Sequence, residues 1–465
     1  MAGKMNPESL NRAIFREYDV RGTVGTDLTE EVALHLGRAI GTVIRNNKID
    51  RMALGRDVRT SSDRLHGAML EGLLSTGVHV VDVGVCPTPL LYFSLFHLNL
   101  QGGVMITGSH NPAEFNGFKI CVGRDTIHGP EIQKLYERII AHDYVEGVGA
   151  VSREEIIPAY LDYIVSRFPG LKVSNRLKIA IDCGNGTAGL VVPELLKRFG
   201  FNPVELYCEI DGNFPNHHPD PTVEKNLVDL IEKVRSETAD LGIAFDGDSD
   251  RIGVINDKGE ILWGDKLLVL FSRDILRHHP GATIISEVKS SHLLYEDIRQ
   301  KGGNPVMWKA GHSLIKAKMK ETKAELGGEM SGHIFFADRY FGYDDAIYAA
   351  CRLIEIVLSG QTPLSGLLAD LPVTYSTPEI RIDCPDDEKF QLVEKLKGKL
   401  ASLYQINDVD GVRVTFNGGW GLVRASNTQA ILVLRYEAET AEKMNLIKSV
   451  IEKALIELKP DLSFA

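Results

Sequence analysis

Paired cysteines are missing from this chain. The six cysteines stand at 86, 121, 183, 208, 351 and 384, with no C-x-x-C among them, so neither a zinc site nor a thioredoxin-type dithiol has support. Cysteines scattered this way suit a reducing compartment, each serving as a small apolar side chain. A surplus of positive charge is also missing. Lys and Arg number 52 against 63 Asp and Glu, a net charge of −11. That excludes a dominant basic footprint for nucleic acid, while local basic residues can still receive an anionic small molecule. Long apolar runs are absent too. Residues 1–10 contain no apolar segment of the signal-peptide kind. The most apolar stretch, 90–106, is broken by His97, Asn99, Gln101, Gly102 and Gly103 and is too interrupted to span a bilayer. The expectation is a cytoplasmic protein with neither nucleic-acid nor membrane partners; monomer and homo-oligomer both stay open.

What is present is length and repetition. With 465 residues the chain suggests about three domains. Three segments share one rhythm of strand, polar loop, helix, glycine and strand: Met52 to Val81, Lys178 to about Val204, and Ala282 to Val306. A further strand follows each and runs into an unusual loop. Gly103–Ile106 leads into Thr107-Gly108-Ser109-His110-Asn111-Pro112, Leu241–Phe245 into Asp246-Gly247-Asp248-Ser249-Asp250-Arg251, and Ala324–Leu326 into Gly327-Gly328-Glu329-Met330-Ser331-Gly332-His333. This reads as a threefold α/β repeat, with loops at the carboxyl ends of strands, where such sheets bind ligands. The remainder differs: a short strand at 380–382, a helix over 387–403, a strand at 412–416, a glycine-rich break at 418–421, a polar loop after Arg424, a strand at 430–436 and a helix over 440–458. The predicted architecture is three similar mixed α/β domains, 1–150, 151–256 and 257–370, followed by a smaller α+β domain, 371–465. With no low-complexity linker, the lobes should pack closely.

The loops carry chemistry. Carboxylates of Asp246, Asp248 and Asp250, two residues apart just past a strand, can converge on one hard cation, and magnesium fits. An EF-hand is excluded, because Arg251 takes the place of the required glycine. Without a cation the three acids would repel one another. Ser109 sits in a tight turn where Gly108 is free to take an unusual backbone conformation, and its hydroxyl suits a nucleophile or phosphate carrier as well as a simple turn. His110, the next residue, is poorly placed to act as its base. Glu329, Ser331 and His333 offer a carboxylate, a hydroxyl and an imidazole between glycines. Arg424, Ser426, Asn427 and Thr428 make a plausible phosphate cradle on a loop. Gly184-Asn185-Gly186-Thr187-Ala188-Gly189 matches G-x-G-x-x-G, with Glu205 16 residues beyond, which permits a dinucleotide reading; its position in mid-chain, unmatched in the other repeats, favours a structural turn.

Together the four loops resemble the α-D-phosphohexomutase family, in its bacterial phosphomannomutase/phosphoglucomutase branch. T-G-S-H-N-P, D-G-D-x-D-R, G-E-M-S-G-H and R-x-S-N-T appear in the family order, and the likeness runs from about Phe15 to Arg435. The resemblance implies four domains around a central cleft, a hexose 1-phosphate/6-phosphate mutase acting on mannose or glucose, and a phosphorylated Ser109. It also implies Mg2+ held by Asp246, Asp248, Asp250 and a phosphate oxygen on Ser109, and glucose 1,6-bisphosphate or mannose 1,6-bisphosphate as intermediate and activator. By the same resemblance Glu329 and Ser331 read sugar hydroxyls, and the 424–428 loop holds the phosphate that is not transferred. Lys119 and His312 are proton-transfer candidates, Lys119 needing a lowered pKa from neighbouring cations. Tyr18, Arg21, His110, Arg251, Lys289 and His333 support the cleft. Position 249, Ser here, is expected to have little consequence. Alternatives are a glucosamine phosphate mutase, a magnesium-dependent sugar phosphatase with Asp246 or Asp248 as nucleophile, an NAD-linked oxidoreductase, and a silent sugar-phosphate binder.

Overall fold

A computed structural model describes residues 10–173, 177–427 and 429–464. Four sheets follow one another along the chain. The first three share a core arrangement. A central strand (Arg51–Arg56, Ile179–Asp182 or Thr283–Glu287) is flanked by two parallel neighbours, and one of these turns back into an antiparallel partner. The flanking strands that turn back are Gly102–Ile106, Leu241–Phe245 and Leu326–Gly328; their partners are Phe115–Val122, Ile252–Asn256 and Ile334–Phe336. Parallel neighbours require crossover helices, supplied by Ser62–Leu74, Val192–Phe199 and His292–Gln300, then by Thr88–His97, Val228–Glu237 and His312–Thr322. The threefold repeat read from the sequence is thus present, and each unusual loop is the turn where a parallel strand meets its antiparallel partner.

The fourth sheet is antiparallel throughout, with Lys389–Leu400 and Ala441–Leu458 as its helices. The expected break at 418–421 is not one. Only Asn417-Gly418 turns, Gly418 at φ +80°, between Phe416 and its register partner Gly419; a positive φ at the second central residue of a turn calls for glycine. Gly419 and Gly421 lie in the strand Gly419–Ala425 because Ile447 and Ile451 of the last helix press on them: a Cβ on Gly421 would meet Ile451 Cδ1 at 2.4 Å. The same strand carries Arg424, which therefore sits on a rigid element and not on the loop expected for it.

One buried apolar cluster runs through all three α/β units, from Ala53 to Leu364. An aromatic hub ties them further. Phe96 of the first unit stacks on Phe341 of the third at 4.4 Å between ring centroids, and Tyr163 of the second stacks on Phe341 at 5.5 Å. The C-terminal sheet has its own core, from Ile382 to Leu462, and meets the third unit through a small cluster of Val288, Trp420 and Leu422. Five cysteines are buried. Cys208 is half-buried, and its Sγ lies 3.3 Å from that of Cys183. Among the described residues no helix is long and apolar enough to cross a membrane.

Candidate active site

Ser109 occupies the first loop at φ +51°, the left-handed region disfavoured by a side chain. The sequence reading placed the unusual conformation on Gly108; the structure moves it to the serine. Gly108 is needed for space instead, since a Cβ there would lie 2.4 Å from Arg59 Cζ. The buried Arg59 guanidinium shapes the loop by donating to the carbonyl oxygens of Ser109, Asn111, Pro112 and Phe115 while pairing with Asp57. The turned backbone also brings His110 Nδ1 to 3.2 Å from Ser109 Oγ, so the two neighbours do meet, contrary to expectation. Burial, with Arg251 and Arg21 nearby, drops the His110 pKa well below its usual value. Arg21 lies under the same loop, donating to Asn111 Oδ1 and Asp19 Oδ2.

The second loop faces the serine. Asp246, Asp248 and Asp250 are fully buried, with ligand atoms within 4.8 Å of one another. Ser109 Oγ donates to Asp246 Oδ2 at 2.9 Å. Asp246 Oδ1 caps the loop by accepting from the N–H groups of Asp250 and Arg251. Asp248 Oδ2 takes Thr88 Oγ1 at 2.5 Å and Lys119 Nζ at 2.6 Å, and Lys119 also pairs with Asp250. Asp248 Oδ1 is buried with no hydrogen-bond partner. Desolvation and its sister carboxylates push Asp246 well above the normal carboxylate range. Burial acts upward on Asp250 as well, but Lys119 and His333 overcome it and hold that group well below the range. For Lys119 the expected depression is reversed: burial lowers its pKa, yet the adjacent aspartates dominate and raise it. Lys119 stands here as a counter-cation. Ser249 is itself left-handed, at φ +65°, with its Oγ 2.9 Å from Thr187 Oγ1.

The third loop brings Glu329 and His333 against these groups. Glu329 accepts from the Gly311 N–H at 2.7 Å and lies 3.1 Å from His333 Nδ1. His333 Nε2 lies 3.1 Å from Asp250 Oδ1. Burial disfavours charge on this ring, but Asp250 and Glu329 outweigh it and lift its pKa to about 9. Asp250, His333 and Asp344 form a second group close enough for a metal, in which the His333 ring is already held between Asp250 and Glu329. Arg251 Nε approaches His333 Nε2 at 3.1 Å. Ser331 shares the Glu329–His333 turn and is half-buried. His312 starts the helix after Gly311, its ring edge-on to those of His333 and Tyr18. Burial, with Lys316 and His333 near, pushes its pKa well below normal and favours the neutral ring.

The fourth wall comes from the C-terminal sheet. Arg424 Nε donates to Asp410 Oδ2, which also accepts the Ala310 N–H. Asn427 Nδ2 donates to the Tyr18 hydroxyl, which donates to Ala310 O; Tyr18 thereby links the first unit to the third and fourth. Ser426 Oγ accepts from Gln429 N. Thr428 lies outside the described residues. Lys289 pairs with Glu379 Oε2 at 3.1 Å. Its loop is gripped by the C-terminal sheet: Arg413 donates to Val288 O and Ser290 O, and Arg435 to Lys289 O. The dinucleotide-like turn is filled by protein. A Cβ on Gly186 would lie 2.7 Å from Gly247 O, Thr187 N–H donates to that same oxygen, and Glu205 pairs with Lys197.

The sequence reading missed Asp57, Arg59, Thr88, Asp344, Glu379 and Asp410. None stands in a recognisable motif. Only Asp344-Asp345, just before an apolar helical run, carries a signal, because Asp345 caps the helix Ala346–Ser359 by accepting from Tyr348 N.

Family models described as phosphoglucomutase/phosphomannomutase match in order: alpha/beta/alpha domain I at residues 12–146, domain II at 158–259, domain III at 263–375 and the C-terminal domain at 379–454. A phosphomannomutase/phosphoglucomutase of Pseudomonas aeruginosa is 48% identical over 448 residues, covering 96% of each chain. A phosphoglucomutase of Neisseria gonorrhoeae is 45% identical over 459 residues, 98% of this chain and 99% of that one. Among solved structures, a phosphoglucomutase/phosphomannomutase family protein from Burkholderia thailandensis superposes with a TM-score of 0.92 at 41% identity, covering 98% and 99% of the two chains. With four loops meeting at one site, and with likeness along nearly its whole length, the chain belongs to the phosphoglucomutase/phosphomannomutase family.

Proposed function

We propose that the chain interconverts hexose 1-phosphate and hexose 6-phosphate, of mannose, glucose or both, by way of phospho-Ser109 and a 1,6-bisphosphate. The observation that carries this reading is the approach of Ser109 Oγ to Asp246 Oδ2 at 2.9 Å, beside the buried, unpartnered Asp248 Oδ1. A transferable hydroxyl and an oxygen-lined cation cradle thus share one wall. Three carboxylates with a bare oxygen fit magnesium, and Asp246, Asp248, Asp250 and a phosphate oxygen on Ser109 would hold it. Bound there, the ion would neutralise charge on the phosphoryl group in transfer.

The chain's own residues do the rest. Arg424, Ser426 and Asn427, with Lys289, receive the phosphate that is not transferred. Glu329 and Ser331 read two sugar hydroxyls. Neutral His312 accepts the proton of the attacking sugar hydroxyl as its oxygen–phosphorus bond forms and the Ser109–phosphorus bond breaks. By the end of the transfer the serine oxygen takes one proton from solvent and His312 returns one to it, so none is consumed. Lys119, held as an ammonium, balances the aspartates. The bisphosphate then turns in the cleft and its other phosphate returns to Ser109. The C-terminal sheet, with a core of its own and a small apolar contact to the third unit, is the part suited to moving aside. The divisions at 150, 256 and 370 would then be domain boundaries around the cleft.

A phosphatase with an aspartate nucleophile fits less well, since Asp248 Oδ2 is engaged by Thr88 and Lys119 and Asp246 Oδ1 by two backbone N–H groups. Phosphorus NMR tests the reading. The protein is given magnesium, glucose 1-phosphate and a trace of glucose 1,6-bisphosphate, and then the mannose compounds. Conversion to the 6-phosphate without inorganic phosphate is the expected result and ranks the two sugars. Growth of inorganic phosphate would favour the phosphatase. No change with either would redirect the test to glucosamine phosphate, against which Met330 between Glu329 and Ser331 argues by resemblance.

A further inference from the structure

One buried carboxylate at the edge of the site has no part in the scheme above. Asp344 is fully buried and pairs across the backbone with Phe335. Its Oδ1 accepts from Lys316 Nζ at 2.9 Å. Its Oδ2 has no hydrogen-bond partner, and 3.6 Å away lies His312 Nδ1, also buried and also without a partner. Leaving two buried polar atoms unsatisfied is costly, at ~1–3 kcal/mol each. A small rotation of the ring toward Asp344 removes both costs with a single N–H···O bond. Of the two His312 ring nitrogens, Nδ1 is the one sealed off without a partner, and a bond from it to Asp344 would keep Nε2 for the substrate. The backbone side is already rigid: His312 opens its helix, and the preceding Gly311 is tied through its N–H to Glu329. Lys316, one turn along the same helix, supplies the counter-charge that lets a carboxylate stand at this depth.

We propose that Asp344 is the positioning residue of His312. It accepts the Nδ1 proton, fixes the imidazole as its Nδ1–H tautomer, and leaves the Nε2 lone pair facing the cleft. A neutral imidazole has one donor and one acceptor nitrogen, and the hydrogen bond made by one decides the role of the other. Without Asp344 either tautomer is allowed, and one of them presents a donor where a proton acceptor is required. The consequence for turnover rests on the phosphohexomutase reading; the tautomer does not.

Magic-angle-spinning 15N NMR of the full chain labelled at histidine separates protonated from bare ring nitrogens, and comparison with His312→Gln assigns the resonances of His312. The wild type should show a protonated Nδ1 and a bare Nε2. In Asp344→Asn this preference should be lost, with kcat lower by roughly ten- to a hundredfold and KM for the sugar phosphate within about threefold, the pattern of an interaction that matters only in the transition state. A protonated Nε2 in the wild type would overturn the proposal whether or not the variant folds. So would wild-type kcat in Asp344→Asn where His312→Gln is impaired. A wild type with the expected tautomer and no mutase activity would sink the functional reading and leave the positioning intact.

Discussion

Replacing Gly108 by alanine probes what holds Ser109 in place. The backbone at 108 is outside the left-handed region, so alanine meets no conformational objection there. The obstacle is Arg59: the new Cβ would fall 2.4 Å from its Cζ and 2.5 Å from its Nε. Arg59 is fixed by four carbonyl oxygens, those of Ser109 at 2.8 Å, Asn111 at 2.5 Å, Pro112 at 2.5 Å and Phe115 at 2.9 Å, and by Asp57 at 3.2 Å. Hydrogen bonds to a charged group contribute ~1.5–3 kcal/mol each, so a retreat that breaks two costs ~3–6 kcal/mol, a large share of the ~5–15 kcal/mol that stabilises a typical domain. If the loop moves instead, Ser109 moves with it, and a misplacement of about 1 Å costs ~100-fold in rate. Gly67→Ala is the control. Gly67 is exposed within the helix Ser62–Leu74 with open space around its Cβ position, and alanine there should add ~1 kcal/mol. Urea unfolding and mutase turnover of both variants give the answer. Gly108→Ala should lose at least ~3 kcal/mol or ~100-fold in kcat by the reasoning just given. Wild-type values for both would refute the claim that Arg59 shapes the phosphoryl-carrying loop.

Three further outcomes are expected. Ser109→Ala should abolish phosphoryl transfer while sugar-phosphate binding, followed by calorimetry, survives; near-normal turnover would remove Ser109 from the mechanism. Thr88→Val deletes the hydroxyl that orients Asp248 Oδ2, so the magnesium concentration for half-maximal activity should rise about tenfold or more; an unchanged magnesium titration would mean the threonine does not tune the cradle. Glu437 Oε1 accepts from Ser291, His292 and Trp420. Burial raises its pKa, but His292, Trp420 and Arg435 prevail and depress it to about 2. A carboxylate whose folded pKa is depressed stabilises the fold above its unfolded value and loses that contribution as pH falls. The stability gap between wild type and Glu437→Gln, about 3 kcal/mol, should therefore be full above about pH 5 and shrink toward pH 3 in urea unfolding. A gap independent of pH would contradict the assignment.

The repeat was legible because each strand, polar loop and helix writes its own periodicity into consecutive residues, and the four loops were legible because their reactive groups lie two to four positions apart. What was not legible depends on residues remote in sequence. Arg59 reaches a loop 50 residues on, Thr88 an aspartate 160 residues on, and Asp410 unites Arg424 with Ala310. The mistaken expectations have the same source. His110 meets Ser109 only because a left-handed serine turns the chain, and that turn is framed by Arg59. Lys119 was expected among cations and lies among aspartates of another unit, which reverses the direction of its pKa shift. Glycines 419 and 421 looked like a break, yet they are strand residues thinned to admit a helix that starts 20 residues later. Local motifs thus name the atoms that would meet a substrate, while the partners that fix the orientation and charge of those atoms come from elsewhere in the fold. Asp344, 32 residues beyond His312, is such a partner, which is why its role emerges only when the two unpartnered atoms are seen to face each other.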